Sequence, residues 1–103
     1  MFDSGARYKT CGVDHEIPLE MQLILWEMID ELKTKIEKLD YLQVFELKTK
    51  YDADGKKKQN IRHFQEEPPY ESVIVLEYDA PLDQKIYVID DETHSTMLLA
   101  EEY

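Results

Sequence analysis

Three histidines and one cysteine are the side chains of this sequence best suited to chemistry near neutral pH. Cys11 and His15 stand four apart, the spacing of one helix face. A nucleophile needs a base within hydrogen-bond reach and a third group orienting that base. Gly12 and the approaching Pro18 argue against a helix here, so Cys11 reads as a small core residue beside an apolar strand. Asp90-Asp91-Glu92-Thr93-His94 could offer hard oxygens and one imidazole to a metal. Those residue types also make up an ordinary turn, and transition-metal sites want three or four rigidly held ligands. Asp90, Asp91 and His94 are therefore assigned to a turn, and no metal is expected. Asp52-Ala53-Asp54-Gly55 fails as a calcium loop because Lys56, Lys57 and Lys58 follow where further oxygens are required. His63, between Arg62 and Phe64 and before Glu66 and Glu67, reads as an exposed strand histidine; the alternative is a site where those carboxylates raise its pKa. No phosphate-binding glycine loop, zinc-protease helix or nucleophile elbow is present. Pro68-Pro69-Tyr70 is a stiff connection without the spacing of a proline-rich ligand. No catalytic residue, cofactor or metal ligand is assigned.

Charge narrows the partners. The net charge is −11, and its distribution is uneven: residues 1–65 hold 12 acids and 11 bases, whereas residues 66–103 hold 11 acids and only Lys85. Phosphate backbones and anionic membranes would be repelled, so neither nucleic acid nor a membrane is expected as a partner. The acidic third serves solubility, or it presents a negative face to a basic protein. No apolar run approaches 18 residues. The first ten residues lack the apolar core of a signal peptide, and a lone cysteine cannot form an internal disulfide. A cytoplasmic location is the expectation.

These residues must be positioned by one long element. Pro18 to Lys38 is the only stretch periodic enough for a long helix, with Pro18 suited to its first turn. Met21, Leu25, Met28, Ile29, Leu32, Ile36 and Leu39 fall on one broad face, the core stripe of an amphipathic helix. Leu19, Leu23 and Trp26 form a second apolar stripe on the amino-terminal half. Either another part of the chain covers that stripe or it meets a second protein. Trp is enriched at binding hot spots, and burial of each such side chain is worth on the order of 2 kcal/mol before association costs. Glu31/Lys35 and Lys33/Glu37 are i,i+4 pairs of opposite charge, each worth a few tenths of a kcal/mol.

Short strands surround the helix. Residues 7–13 are a brief extended segment, and 41–51 form a strand whose first part is covered on both faces or bulged. Asp52 to Gly55 turns it into a lysine-rich return arm, the composition of a protected edge. Pro68 and Pro69 require a connection. Residues 72–78, SVIVLEY, have four apolar residues in a row and read as the most buried strand. Residues 85–90 form another, and 95–100 close the chain as a strand or a short helical turn.

GVDHEIPLEMQLILWEMIDELK, DYLQVFEL, IRHFQEEPPY and KIYVIDDETHSTMLLAEEY, taken in that order, resemble the small Firmicutes family known as the staphylococcal domain of unknown function 960. The resemblance covers nearly the whole chain and implies a bacterial cytosolic protein with a compact α+β fold. It carries no catalytic motif, so no site residue follows from it.

The expectation is an α+β protein in which residues 1–103 form a single compact domain: one long amphipathic helix packed on an antiparallel sheet of about five strands. Its expected function is a non-enzymatic protein-interaction module, with Leu19, Leu23 and Trp26 as the contact surface and a homodimer as one outcome. The alternatives are an acidic nucleic-acid mimic that occupies a basic protein, and a small-molecule-binding domain using the open sheet face with Tyr, His63 or His94.

Overall fold

A computed structural model describes residues 6–103. The reading of the first ten residues as lacking a signal peptide falls, for residues 1–5, outside that range. In chain order the elements are β1 (Ala6–Lys9), α1 (Cys11–Glu16), α2 (Leu19–Lys35), β2 (Leu42–Tyr51), β3 (Lys57–Gln65), β4 (Tyr70–Glu77), β5 (Gln84–Asp90) and β6 (His94–Leu99), followed by a 3-10 turn over Ala100–Glu102. The strands form one six-stranded sheet in the order β1-β6-β5-β2-β3-β4. Four pairings are antiparallel, and β1 lies parallel to β6. The sheet is therefore mixed and one strand larger than the expected antiparallel five. Residues 95–100, expected as a strand or a short helical turn, lie largely in β6, and the extended segment expected over 7–13 is a strand only as far as Lys9.

That segment splits at Thr10. Its hydroxyl accepts from the Val13 N–H at 3.2 Å and starts α1, capping a donor that an extended chain would not leave free. Cys11 and His15 consequently share a helix after all, both exposed. Glu102 from the chain's end closes over the same helix start. Its carboxylate accepts from Thr10 Oγ1 at 2.6 Å and from the Leu99 N–H at 2.8 Å. A Cβ on Gly12 would stand 2.6 Å from that carboxylate, so a larger residue there would push the Glu102 side chain away from the helix start.

Pro18 caps α2. The preceding Ile17 carbonyl is taken by the Gln22 side chain at 2.7 Å. The helix ends at Lys35, three residues before the expected Lys38, because Ile36 is extended and turns the chain so that Leu39 enters the core. Glu31 and Lys35 approach to 3.6 Å as expected, whereas Lys33 reaches back to Asp30 at 3.9 Å, Glu37 being outside the helix.

The core lies between the helices and one face of the sheet. Met21, Leu25, Ile29 and Leu32 of α2, with Val13 and Ile17 ahead of it, pack on Phe45, Leu47, Ile61, Ile86, Val88 and Met97. Period-two alternation sets this face: Phe45 is opposite both His63 and Ile86, and Leu47 is opposite Ile61. Along β2 the register runs without a bulge, and Val44 on the opposite face is nevertheless 7% exposed. Its first part is thus covered on both sides, as a central strand is.

The strand expected to be most buried is instead the sheet's outer edge. In β4, Ser72, Ile74 and Leu76 are half-buried beneath α2, and Val73 and Val75 lie 53% and 51% exposed on the far face. Four consecutive apolar residues signal two apolar faces, not two covered ones. The later strands β5 and β6 pair on the far side of β2, so among the described residues β4 has a neighbouring strand on one side only.

Candidate functional site

His63 is the buried histidine of the fold. It faces the core side of β3 at 1% exposure, stacked on Phe45 at 4.3 Å between centroids and edge-on to Tyr70 at 5.9 Å. Burial lowers its pKa to about 4, the reverse of the upward shift that neighbouring carboxylates would cause. The expectation of an exposed histidine is corrected for a simple reason. Arg62 and Phe64, its sequence neighbours, belong to the opposite face, and His63 shares its own face with Ile61 and Gln65.

A chain of hydrogen bonds fixes its tautomer. Gln65 Nε2 donates to the Pro68 carbonyl at 2.7 Å, which leaves Gln65 Oε1 to accept from the Asp40 N–H at 3.0 Å and from Gln43 Nε2 at 2.7 Å. Gln43 Nε2 also donates to the Asp40 carbonyl at 2.9 Å. Gln43 Oε1 is thereby the acceptor at 2.7 Å from His63 Nε2, which must carry the proton. Nδ1 is left as a neutral acceptor. Ser72 is directly opposite on β4, so serine, histidine and glutamine occur in a sequence that resembles a nucleophile, a base and an orienting group. With a pKa near 4, His63 is a weak base at neutral pH.

His63 also forms part of the floor of a groove of about 360 Å³ between α2 and β4. Tyr78 Oη donates to Glu20 at 2.9 Å, which places the start of α2 beside the end of β4 and makes the two elements run in opposite directions. The groove accordingly has an apolar end, Ile24 and Met28 against Ile74 and Leu76, and a polar end where Glu31 and Lys35 approach Ser72 and Tyr70. Glu27 stands exposed on the helix rim. On the side of β4 away from β3, alternate backbone N–H and C=O groups have no strand to pair with among the described residues.

The sequence pattern had pointed instead to Leu19, Leu23 and Trp26. Leu19 and Leu23 are 60% and 58% exposed. Trp26 is half-buried, with the Arg7 guanidinium 4.7 Å from its ring centre while Arg7 also pairs with Asp30. The stripe is thus covered by β1 at Trp26 and open at the two leucines. The groove was missed because Ile24 sits outside either stripe and Met28 was assigned wholly to the core. A usable signal was present: Glu71 and Glu77 bracket Val73 and Val75 at period two, which marks one wet face on β4.

The remaining candidates scatter. Asp91 Oδ1 lies 3.1 Å from His94 Nδ1, and Tyr8 meets the His94 ring edge-on at 5.1 Å. Asp90 points to the core side at 7% exposure. Among the described residues no three His, Cys, Asp or Glu side chains are grouped to hold a metal ion. The acids of residues 66–103 are spread over the β3–β4 turn, both ends of β4, the β4–β5 loop, the end of β5 with the β5–β6 turn, and the chain's end. Arg62 joins Glu71 and Glu46, the latter at 2.8 Å, and Lys58 lies 3.8 Å from Glu77. Among the described residues no helix is long and apolar enough to cross a membrane.

A mixed six-stranded sheet with its helices on one face and a groove beside a free edge strand defines a two-layer α+β protein. Residues 6–102 match the family described as staphylococcal protein of unknown function (DUF960), and the chain belongs to that family. It is also similar to a protein of unknown function from Enterococcus faecalis, known from its crystal structure. The two are 27% identical with a TM-score of 0.79, over 99% of this chain and 94% of the other. None of the curated proteins compared with the chain matches it.

Proposed function

We propose that this chain is a non-enzymatic protein-interaction module whose working surface is the edge of β4 together with the groove beneath α2. The observation that carries this reading is one of continuity. An eight-residue strand edge with unpaired backbone groups runs alongside a half-apolar groove, so one bound segment could meet both. Backbone pairing would supply affinity, and the groove would select alternate side chains. A selection of random peptides against the folded protein tests it, read out by amide hydrogen exchange. Bound peptides are expected to slow exchange across residues 70–77. Failure to obtain a binder, or binders that leave that strand unchanged, overturns the reading.

Self-association through Leu19, Leu23 and Trp26 is the second reading, favoured by two leucines that stand exposed one turn apart. A second copy is its stated occupant. A standard interface covers about 800 Å² on each partner, so neighbouring surface of α2 would have to join these residues. Light scattering on the wild type and on Leu19→Glu/Leu23→Glu decides: a dimer that the double variant dissociates supports it, and a wild-type monomer removes it.

A further inference from the structure

The charge on the groove's rim identifies what kind of segment fits it. Glu27 and Glu31 stand one turn apart on the same side of α2 as the groove. Like charges at this spacing destabilise a helix by a few tenths of a kcal/mol, so the arrangement favours any cation brought between them. Lys35 lies 3.6 Å from Glu31, on the side away from Glu27. Glu27 has no ion pair among the described residues. The uncompensated negative charge therefore faces the apolar end of the groove, next to Ile24 and Met28.

Length and direction add to this. From Tyr70 to Leu76 the floor runs about 20 Å at strand spacing, and the facing stretch of helix from Ile24 to Lys35 runs about 16 Å. Such a groove accommodates about six extended residues. In that conformation three alternate side chains enter the groove and the others pass to the far face beside Val73 and Val75. A short segment that pairs with β4 would thus be apolar on both sides and would need a positive charge near Glu27.

We infer that the occupant of the β4 edge is an extended segment of another protein, about six residues long, in which apolar residues are combined with at least one lysine or arginine directed at Glu27 and Glu31. This rests on the interaction reading above and names its partner class. A second copy of the chain fits less well. The groove-side residues of its own β4 are Tyr70, Ser72, Ile74 and Leu76, with no cation among them, and each copy carries a net charge of −11.

Two synthetic peptides with blocked ends form the probe. One is a hexapeptide of valine and isoleucine with a single lysine at a groove-facing position, and the other replaces that lysine with glutamate. Binding is measured by calorimetry and located by amide exchange, on the wild type and on Glu27→Lys/Glu31→Lys. Both glutamates are exposed, so the double variant is expected to fold, which circular dichroism checks. The lysine peptide is expected to bind the wild type at the β4 edge at least about tenfold more tightly than the glutamate peptide, with the order reversed on the variant. Equal binding of both peptides at the β4 edge overturns this inference and leaves the interaction reading standing. Binding of neither peptide overturns the inference, and the random-peptide selection then judges the broader reading separately. Preference for the lysine peptide that survives the double variant places its charge contact elsewhere and also overturns the inference.

Discussion

The two edges of this sheet are built in opposite ways. At one side β1 has four residues, two of them basic, and each basic residue is tied down: Arg7 to Asp30 and across Trp26, Lys9 to Asp14 at 2.9 Å. Short length and charge are standard protection against unwanted strand pairing. At the other side β4 has eight residues and neither lysine nor proline, with Val73 and Val75 more than half exposed. Charge appears only at its ends, where Glu71 and Glu77 are engaged by Arg62 and Lys58 of β3. A fold that blunts one edge thoroughly had the means to blunt the other. The difference is one of access: β4 offers a long edge charged only at its ends where β1 offers a short, charged one.

What supports β4 from behind gives the largest expected effect. Because His63 is held neutral in the fold with its pKa lowered to about 4, against an ordinary 6.5, the unfolded chain takes up a proton first as the pH falls. Stability is therefore complete above about pH 6.5 and is lost progressively toward pH 4, by about 3 kcal/mol in all. The carboxylates with lowered pKa, Asp14, Glu20, Asp91 and Glu102, contribute in the same direction only below the usual carboxylate range. Urea denaturation at pH 7 and pH 4.5 measures the slope, and His63→Phe is expected to flatten it. A slope unchanged in the variant would show that His63 is not the group responsible.

Next in size is the support of His63 itself. Gln43→Ala removes the acceptor of the Nε2–H bond and one of the two donors to Gln65, leaving a buried N–H without a partner. A loss of about 2 kcal/mol is expected, measured at pH 7 by the same denaturation. Hydrogen exchange should show the loss falling on β3 and β4 and sparing β1 and β6. Uniform loss across the sheet would mean that the two edges are not mechanically separate.

How much of this asymmetry could be read beforehand depends on the kind of pattern involved. The core stripe of α2 was legible because a 3.6-residue period survives in any tertiary context: Met21, Leu25, Ile29 and Leu32 are all fully buried. The turn at Asp52 to Gly55 was legible because Gly55 takes a positive φ of 80° that few other residues accept. Strand order was not. SVIVLEY carries the same β-branched residues whether it lies in the middle of a sheet or at its edge, and only pairing partners far along the chain decide. The same holds for His63, whose burial follows from a face shared with Ile61 and Gln65 and from a helix laid over that face. The groove was hidden for a further reason, since it joins α2 to a strand about fifty residues later and belongs to neither segment alone.

On the protected side, Arg7→Ala is expected to cost about 1 kcal/mol or less, from one exposed ion pair and one cation–π contact. Its sharper readout is optical. Trp26 is the chain's single tryptophan, and removal of the guanidinium from its face should shift its emission to longer wavelength and increase quenching by acrylamide. An unchanged spectrum would mean that β1 does not shield the second stripe in solution.

The smallest effect on stability comes from exchanging the chemistry of the edges. Val73→Lys/Val75→Lys places two charges on exposed positions of β4, whose folded environment asks little of them, so stability should change by less than about 0.5 kcal/mol. Association should change far more. If the open β4 edge is the sticky one, the double lysine variant will stay soluble at concentrations where the wild type self-associates or is captured by extended peptides. Lys9→Val makes the complementary change on β1. It removes one of the two charges guarding that edge, but the strand remains four residues long, and Arg7 remains fastened to Asp30. Little new association is expected from it. If Lys9→Val aggregated as readily as the wild type with its free β4, charge alone would explain edge protection. If it did not, length and tethering would share the role, and β4 would owe its availability to its eight-residue length as much as to its valines.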